Sequence, residues 1–404
     1  MGWDGMGQLL DVVELTHRFV AIPSPNLPGD EREIATAVQD VGEFLGLGSG
    51  RVVSAAPDRP NVLIDLDFGP GGRHLALSGH LDTKPIGDAV WDTDPFTGTI
   101  IGEYMYGLGT CDMKGAVAAM LIAAARASQS ELACGRLTLV FTADEEYGSK
   151  FGSRFLAEEK LVSADAIVIG EPGGVFSDWD QLNIVSRGIA NIYVDVFGDQ
   201  GHSSLSEVRG SISATQELAK LLTKFSAEFK PRYPVNELKS KPTVNAGVRI
   251  EGGVGFGVVP GLATFSSDVR LIPGMTRRDF EDDLKSFLLD AMAAEPRLRS
   301  EFRFEEAPRD WLPPTQVESN DPVIFACQAA LEKVRGNSVP LGVFPGTTDA
   351  CWLQGLLGIP TLPAFGPGML ERAHAANERI SISSLTQSVD IYAELIKGFC
   401  GASA

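Results

Sequence analysis

The chain has 404 residues, 44% of them apolar and 22% charged, an ordinary globular composition but too long for one core, so two domains are expected. Its 53 acidic residues outnumber 34 basic ones, and the net charge of −19 repels phosphate backbones, which excludes nucleic acid as an expected partner. No apolar run reaches the roughly 18 residues of a membrane span, so no membrane partner is expected either.

The opening segment "MGWDGMGQLLDVVELTHRFV" reads as an amphipathic helix. It lacks the basic n-region, apolar h-region and small-residue cleavage site of a signal peptide. Met6 stands where a myristoylation signal needs Ser or Thr. Strands are expected at Asn61–Leu66 and Leu75–Ser78, then an Ala-rich helix in "DMKGAVAAMLIAAARA" with Asp112 at the N-cap position. Further strands follow at Leu137–Thr142 and Ala166–Ile169. This alternation of short apolar runs and helices predicts an α/β domain with a mostly parallel mixed sheet flanked by helices.

The pattern changes near Ile184. "NIYVDVFG" reads as a strand, Ser211–Phe225 as a helix, "PTVNAGVRI" and "LATFSSDVRLI" as strands, Arg277–Ala293 as a helix and "EFRFEEA" as a last strand. That β-α-β-β-α-β order predicts a ferredoxin-like domain inserted at 185–309, between two parts of the first domain at 1–184 and 310–404. Five cysteines, odd in number and never spaced C-x-x-C, fit reduced thiols in a cytoplasmic protein better than disulfides or a thiolate zinc site.

Metal-capable residues fall at the ends of apolar runs. "LALSGHLDT" reaches His80 and Asp82, "LTLVFTADEE" reaches Glu145 and Glu146, and "AIVIGEP" reaches Glu171. Sites in open α/β sheets form at the carboxyl ends of strands, so these residues can converge. Each has a plainer reading: His80 as a hydrogen-bonded structural residue, Asp112 as a helix cap, Glu171 as a turn residue before Pro172. His374, in "FGPGMLERAHAANE", says little alone. Taken together, two histidines and several carboxylates without thiolates suit zinc, cobalt or manganese, and two ions bridged by a carboxylate suit the inventory better than one. Asp82 projects to the same side of an extended segment as His80 and can accept the other ring N–H.

"SGHLDT", "YGLGTCDMKGAVAAML", "TADEEYGS", "IGEP", "GHSS", "DVRLIPG", "GTTDA" and "GPG…AHAANE" resemble, in order and across nearly the whole chain, the dinuclear-zinc amidohydrolases and metallopeptidases. That family includes acetylornithine deacetylase, succinyl-diaminopimelate desuccinylase, aminoacylase and glutamate carboxypeptidases. The resemblance implies that His80 and Glu171 bind one metal ion and Glu146 and His374 another, with Asp112 bridging and Asp82 supporting catalysis. It implies that Glu145 is the general base, taking a proton from the bridging water and passing it to the departing amine. It also implies a cis peptide bond after Asp112, and an insert that serves as lid and homodimer interface. His202 of "GDQGHSS" would stabilise the oxyanion, with a turn residue before a helix as its plainer reading. Arg270 and Asn245 would bind a small substrate carrying a carboxylate, with a structural salt bridge to Asp268 or another carboxylate as the alternative for Arg270.

Two departures from the family pattern stand out: Gly257 in "GFGVVP" occupies a position where relatives often carry Asn, and "GSISATQEL" lacks the usual Asn-Ala-Ile. Cys111, beside Asp112, reads as a small buried residue. "GLGT" before the Ala-rich helix is an incomplete nucleotide-binding fingerprint with no Walker lysine-serine pair after it. A binding protein that keeps the fold predicts damaged ligand positions, yet all are filled. The expected activity is hydrolysis of an N-acyl amino acid amide. The alternatives are carboxypeptidase or dipeptidase action and deamination of a carboxylated aromatic amine.

Overall fold

A computed structural model describes residues 11–402 of the chain. The N-terminal helix begins at Val12, capped by Asp11, and the first ten residues of the segment read as helical lie outside the described residues. The chain divides into two compact units: residues up to Ser186 together with those from Thr315 onward, and Arg187–Pro314.

In the first unit a six-stranded sheet runs in the order Arg51–Ser54, Pro60–Gly69, Gly135–Thr142, His74–His80, Ala166–Ile169, Thr361–Leu362. The last four are mutually parallel, and Pro60–Gly69 runs antiparallel to both its neighbours, the mostly parallel mixed sheet that the sequence predicts. The central strands are continuous apolar runs because both faces are covered. Leu63, Ala76, Val140 and Ile167 pack with Leu156 and Leu353, which lie on the helices Ser153–Glu158 and Ala350–Leu357. The helix Gly115–Ser128 packs against both Val12–Val20 and Ile382–Cys400. Its alanines are buried almost all round, and their small side chains let three helix axes approach closely.

The plainer reading of Asp112, as a helix cap, does not describe its place in the fold. Asp112 has φ −126° and ψ 89°, its bond to Met113 is cis, and regular helix starts only at Gly115. The chain thus bends away from the helix axis before the helix begins, which frees the Asp112 carboxylate from the helix N-terminus.

The second unit is an antiparallel sheet ordered Thr243–Gly252, Leu262–Leu271, Gly188–Phe197, Ser300–Phe304. Its connectivity is strand-helix-strand-strand-helix-strand, with the helices Ala214–Glu228 and Arg277–Ala294. Alternate residues Ile192, Val194 and Val196 face a core in which Phe225 stacks on Phe229 with centroids 4.6 Å apart.

One close approach holds Glu171 in place. The strand Gly366–Met369 pairs in parallel with Pro172–Gly174, and the Gly366 N–H donates to the Glu171 carbonyl at 2.7 Å. A Cβ at Gly366 would lie 1.9 Å from the Gly170 carbonyl oxygen, so only glycine fits without moving backbone. Gly366→Ala should destabilise the protein by about 1–3 kcal/mol in urea denaturation and weaken Co²⁺ binding, because the strand carrying Glu171 must shift. Unchanged affinity would show that Glu171 tolerates the displacement.

Candidate metal centre

Three parallel strands bring their carboxyl ends to one place. His80 closes His74–His80; Asp144, Glu145 and Glu146 follow Gly135–Thr142 in a tight turn; Glu171 comes two residues after Ala166–Ile169. The bend at Asp112, just before the Gly115–Ser128 helix, delivers a further side chain. His374 enters on the loop after Gly366–Met369, in a left-handed conformation with φ 59°.

These side chains form two triads that share one member. Donor atoms of His80, Asp112 and Glu171 lie within 4.8 Å of one another, as do those of Asp112, Glu146 and His374. The two oxygens of Asp112 divide between them: Oδ1 is 2.9 Å from His80 Nε2 and Oδ2 is 3.1 Å from His374 Nε2. His80 Nε2 is 3.5 Å from Glu171 Oε1, and His374 Nε2 is 3.2 Å from Glu146 Oε2. The first triad is fully buried, whereas the His374 side chain is 48% exposed, so the second opens to solvent.

The donor set fits two divalent cations. Burial opposes charge on the imidazoles, yet Asp112 and Glu146 carry His374 up to about 11, and Asp112, Asp82 and Glu171 carry His80 well above its usual range. Burial and the neighbouring Asp112 raise Glu171 to about 7. Burial, then Glu171, pushes the Glu145 carboxyl well up. So much negative charge in a low-dielectric pocket draws in positive charge, and imidazole with carboxylate oxygen is a donor set for zinc, cobalt or manganese.

Supporting contacts orient the triads. His80 Nδ1 is 2.9 Å from the carbonyl oxygen of Asp82 and 3.5 Å from its carboxylate, so the backbone is the nearer partner of the ring N–H. The Asp82 carboxylate instead accepts the N–H groups of Glu145 and Glu146, each at 3.1 Å. Cys111 is a buried free thiol whose Sγ lies 3.4 Å from the Met369 carbonyl oxygen.

Several residues in this shell were not singled out from the sequence. Glu378 Oε1 accepts the N–H groups of Cys111 and Asp112 at 2.9 and 3.1 Å, tying the His374 loop to the Asp112 bend. Asp349 accepts hydroxyls of Thr142, Ser149 and Ser153, bracing the turn that holds Glu145. Lys84 donates to the Glu146 carbonyl at 2.6 Å and lies 2.8 Å from Glu146 Oε2, sharing that oxygen with His374. Glu378 ends the quoted "AHAANE", Asp349 sits in "GTTDA" and Lys84 directly follows "SGHLDT"; adjacency to those motifs was the available signal.

The remaining expected residues belong to the second unit. Arg270 and Asn245 lie on paired strands and both engage Asp268, at 3.4 and 3.1 Å. His202 is exposed and caps the Ser203–Leu205 turn, its Nδ1 2.8 Å from Ser204 Oγ. Gly257 has φ 79°, a left-handed backbone that glycine adopts freely, and its carbonyl accepts the Ser203 N–H at 2.9 Å.

Known proteins are similar to the chain over most of its length. Residues 76–398 match the model of peptidase family M20/M25/M40. The chain is 29% identical over 402 residues to succinyl-diaminopimelate desuccinylase of Rhizorhabdus wittichii, covering 96% of this chain and 98% of the relative. It is 31% identical over 345 residues to acetylornithine deacetylase of Proteus mirabilis, covering 84% and 82%. In fold it is similar to an M20 metallo-carboxypeptidase from Sulfolobus solfataricus, with TM-score 0.76, 22% identity and coverage of 96% and 99%. The chain therefore belongs to peptidase family M20/M25/M40, a family of metal-dependent hydrolases acting on amide bonds.

Proposed function

We propose that the chain removes the acyl group from a small N-acyl amino acid by hydrolysing its amide bond. The observation that carries this reading is the pair of triads sharing Asp112, with Glu145 beside them and outside both. Similar chains named as a desuccinylase and a deacetylase favour deacylation over release of a C-terminal residue.

His80 and Glu171 would hold one cation, Glu146 and His374 the other, and Asp112 both. When bound, two divalent ions, zinc first and cobalt or manganese next, supply Lewis acidity and acidify water towards neutrality. Glu145 is the general base: its carboxylate takes the proton of the attacking water and returns it to the leaving nitrogen. Asp82 fixes the height of Glu145 and Glu146 through their N–H groups. His202 would donate to the oxyanion, Arg270 would grip the substrate carboxylate with its planar fork, and Asn245 would assist it. The contacts of Arg270 and Asn245 with Asp268 then hold both side chains ready on one sheet face.

A homodimer through the second unit is also proposed. Thr243–Gly252 is an edge strand with Val248 and Ile250 each 57% exposed, a surface that a second copy would cover. Light scattering should give twice the chain mass, and a monomer at micromolar concentration would remove this part of the reading.

The decisive experiment is a panel of N-acyl amino acids, dipeptides and carboxylated aromatic amines, assayed after chelation and restoration of Zn²⁺, Co²⁺ or Mn²⁺. Free carboxylic acid and amino acid from the first group are expected; turnover confined to dipeptides, or release of ammonia, would replace deacylation by peptidase or deaminase action. A pair of variants separates roles within the site. Glu145→Gln should keep two ions by elemental analysis and lose at least about 10²-fold in kcat. His374→Ala should retain one. Near-normal turnover in the first, or two tightly held ions in the second, would contradict the assignment.

A further inference from the structure

Beside the turn that carries Glu145 and Glu146 lies a buried polar network of which the reaction scheme uses only Asp82. Asn26, Glu31, Arg59, Asp82 and Asp144 are all at most 5% exposed. The Asn26 amide sits at its centre. Nδ2 donates to Asp82 Oδ2 and to Asp144 Oδ1, each at 2.9 Å, while Oδ1 accepts from Arg59 Nη2 at 3.0 Å. That orientation is chemically forced: a carboxylate only accepts and a guanidinium only donates, so Nδ2 must face the acids and Oδ1 the arginine. Arg59 also donates to Asp144 Oδ1 at 3.1 Å and through Nη1 to Glu31 Oε1 at 2.5 Å, so its own position is fixed on two sides.

The two carboxylates joined by Asn26 hold the turn from both ends. Asp82 takes the N–H groups of Glu145 and Glu146. Asp144 precedes them in a left-handed conformation with φ 65°, and its Oδ2 takes the Phe151 N–H at 3.2 Å. Asn26 is itself locked to the strand end below His80, its N–H donating to the Thr83 carbonyl at 2.8 Å. Two buried acids repel one another, and a donor between them with two N–H groups converts that repulsion into a fixed spacing.

We propose that Asn26, oriented by Arg59, is a positioning residue of the hydrolytic centre: it joins Asp82 to Asp144 and so sets Glu145 and Glu146 against His80. This rests on the reading of Glu145 as base and of Glu146 and His80 as metal ligands. Asn26 touches neither substrate nor reacting atoms; it acts through Asp82 and Asp144.

The test is Asn26→Ala in the full chain, with three readouts: Co²⁺ affinity of the chelated protein by calorimetry, the separate changes in kcat and KM, and thermal unfolding. Loss of an outer partner of a metal ligand costs roughly 10–100-fold in metal affinity or activity. Co²⁺ affinity and kcat should each fall about 10-fold or more, with KM within about twofold, since the ground-state binding surface is untouched. A folded variant with native Co²⁺ affinity and kcat overturns the proposal, and so does one in which only the unfolding temperature falls. Should Asn26→Ala fail to fold, Arg59→Lys keeps the buried charge but loses the two-pronged grip. It should show the same losses, and native values in it overturn the proposal equally. Lost Co²⁺ affinity alongside a parent protein that cleaves no amide would sink the proposed reaction while leaving the coupling intact.

Discussion

Concentrated negative charge is the constraint on which the rest of the structure turns. Asp112, Glu146 and Glu171 point into one pocket, with Glu145 and Asp82 beside them. Two like charges 4 Å apart repel by about 4 kcal/mol even at an effective dielectric constant of 20, so this group of acids needs cations. His80, His374 and Lys84 already lean on these carboxylates, and all three are held towards their charged forms. Two divalent ions would answer the same demand more fully, and the residues of the two triads would hold them where Lewis acidity is useful.

Much of the surrounding architecture serves to keep these acids from moving apart. Parallel strands deliver them in register because each ends at the same edge of the sheet. The bend before the helix Gly115–Ser128 leaves Asp112 between the two histidines. Beneath, the supporting acids find donors: Glu378 takes backbone N–H groups, Asp349 takes three hydroxyls, and Asp82 and Asp144 share one amide, with Arg59 also on Asp144. Hydrogen-bonded networks of this kind are rigid and hold the acids above them in place.

The burial difference between the triads gives the site a direction. His80, Asp112 and Glu171 are enclosed, while His374 stands half exposed on a loop with an unusual backbone angle. Solvent, and any small molecule arriving from it, meets the Glu146–His374 side first. Lys84 lies on that side, sharing Glu146 Oε2 with His374, so the open half of the centre is also the half where protein charge stands closest to the metal donors.

What could be read from the residues alone was whatever depends on short-range pattern. Apolar runs ending in His80, Glu145, Glu146 and Glu171 betrayed strand ends, and the switch of pattern near Ile184 betrayed a second unit, because periodicity and termination are local properties. Asp112 was visible as a candidate ligand with a helix cap as its plainer reading, and nothing in "TCDMKG" could decide between them, since it does not reveal that the chain bends before the helix starts. Asp144 showed only as part of a carboxylate-rich turn, and Asn26 and Arg59 carried no signal at all: Asn26 lies 118 residues from Asp144, and Arg59 lies 85 from it. A lone asparagine or arginine has no periodicity to detect. Its role follows from which acids the tertiary fold buries beside it, and only that burial makes an unpaired carboxylate costly enough for its donor to matter.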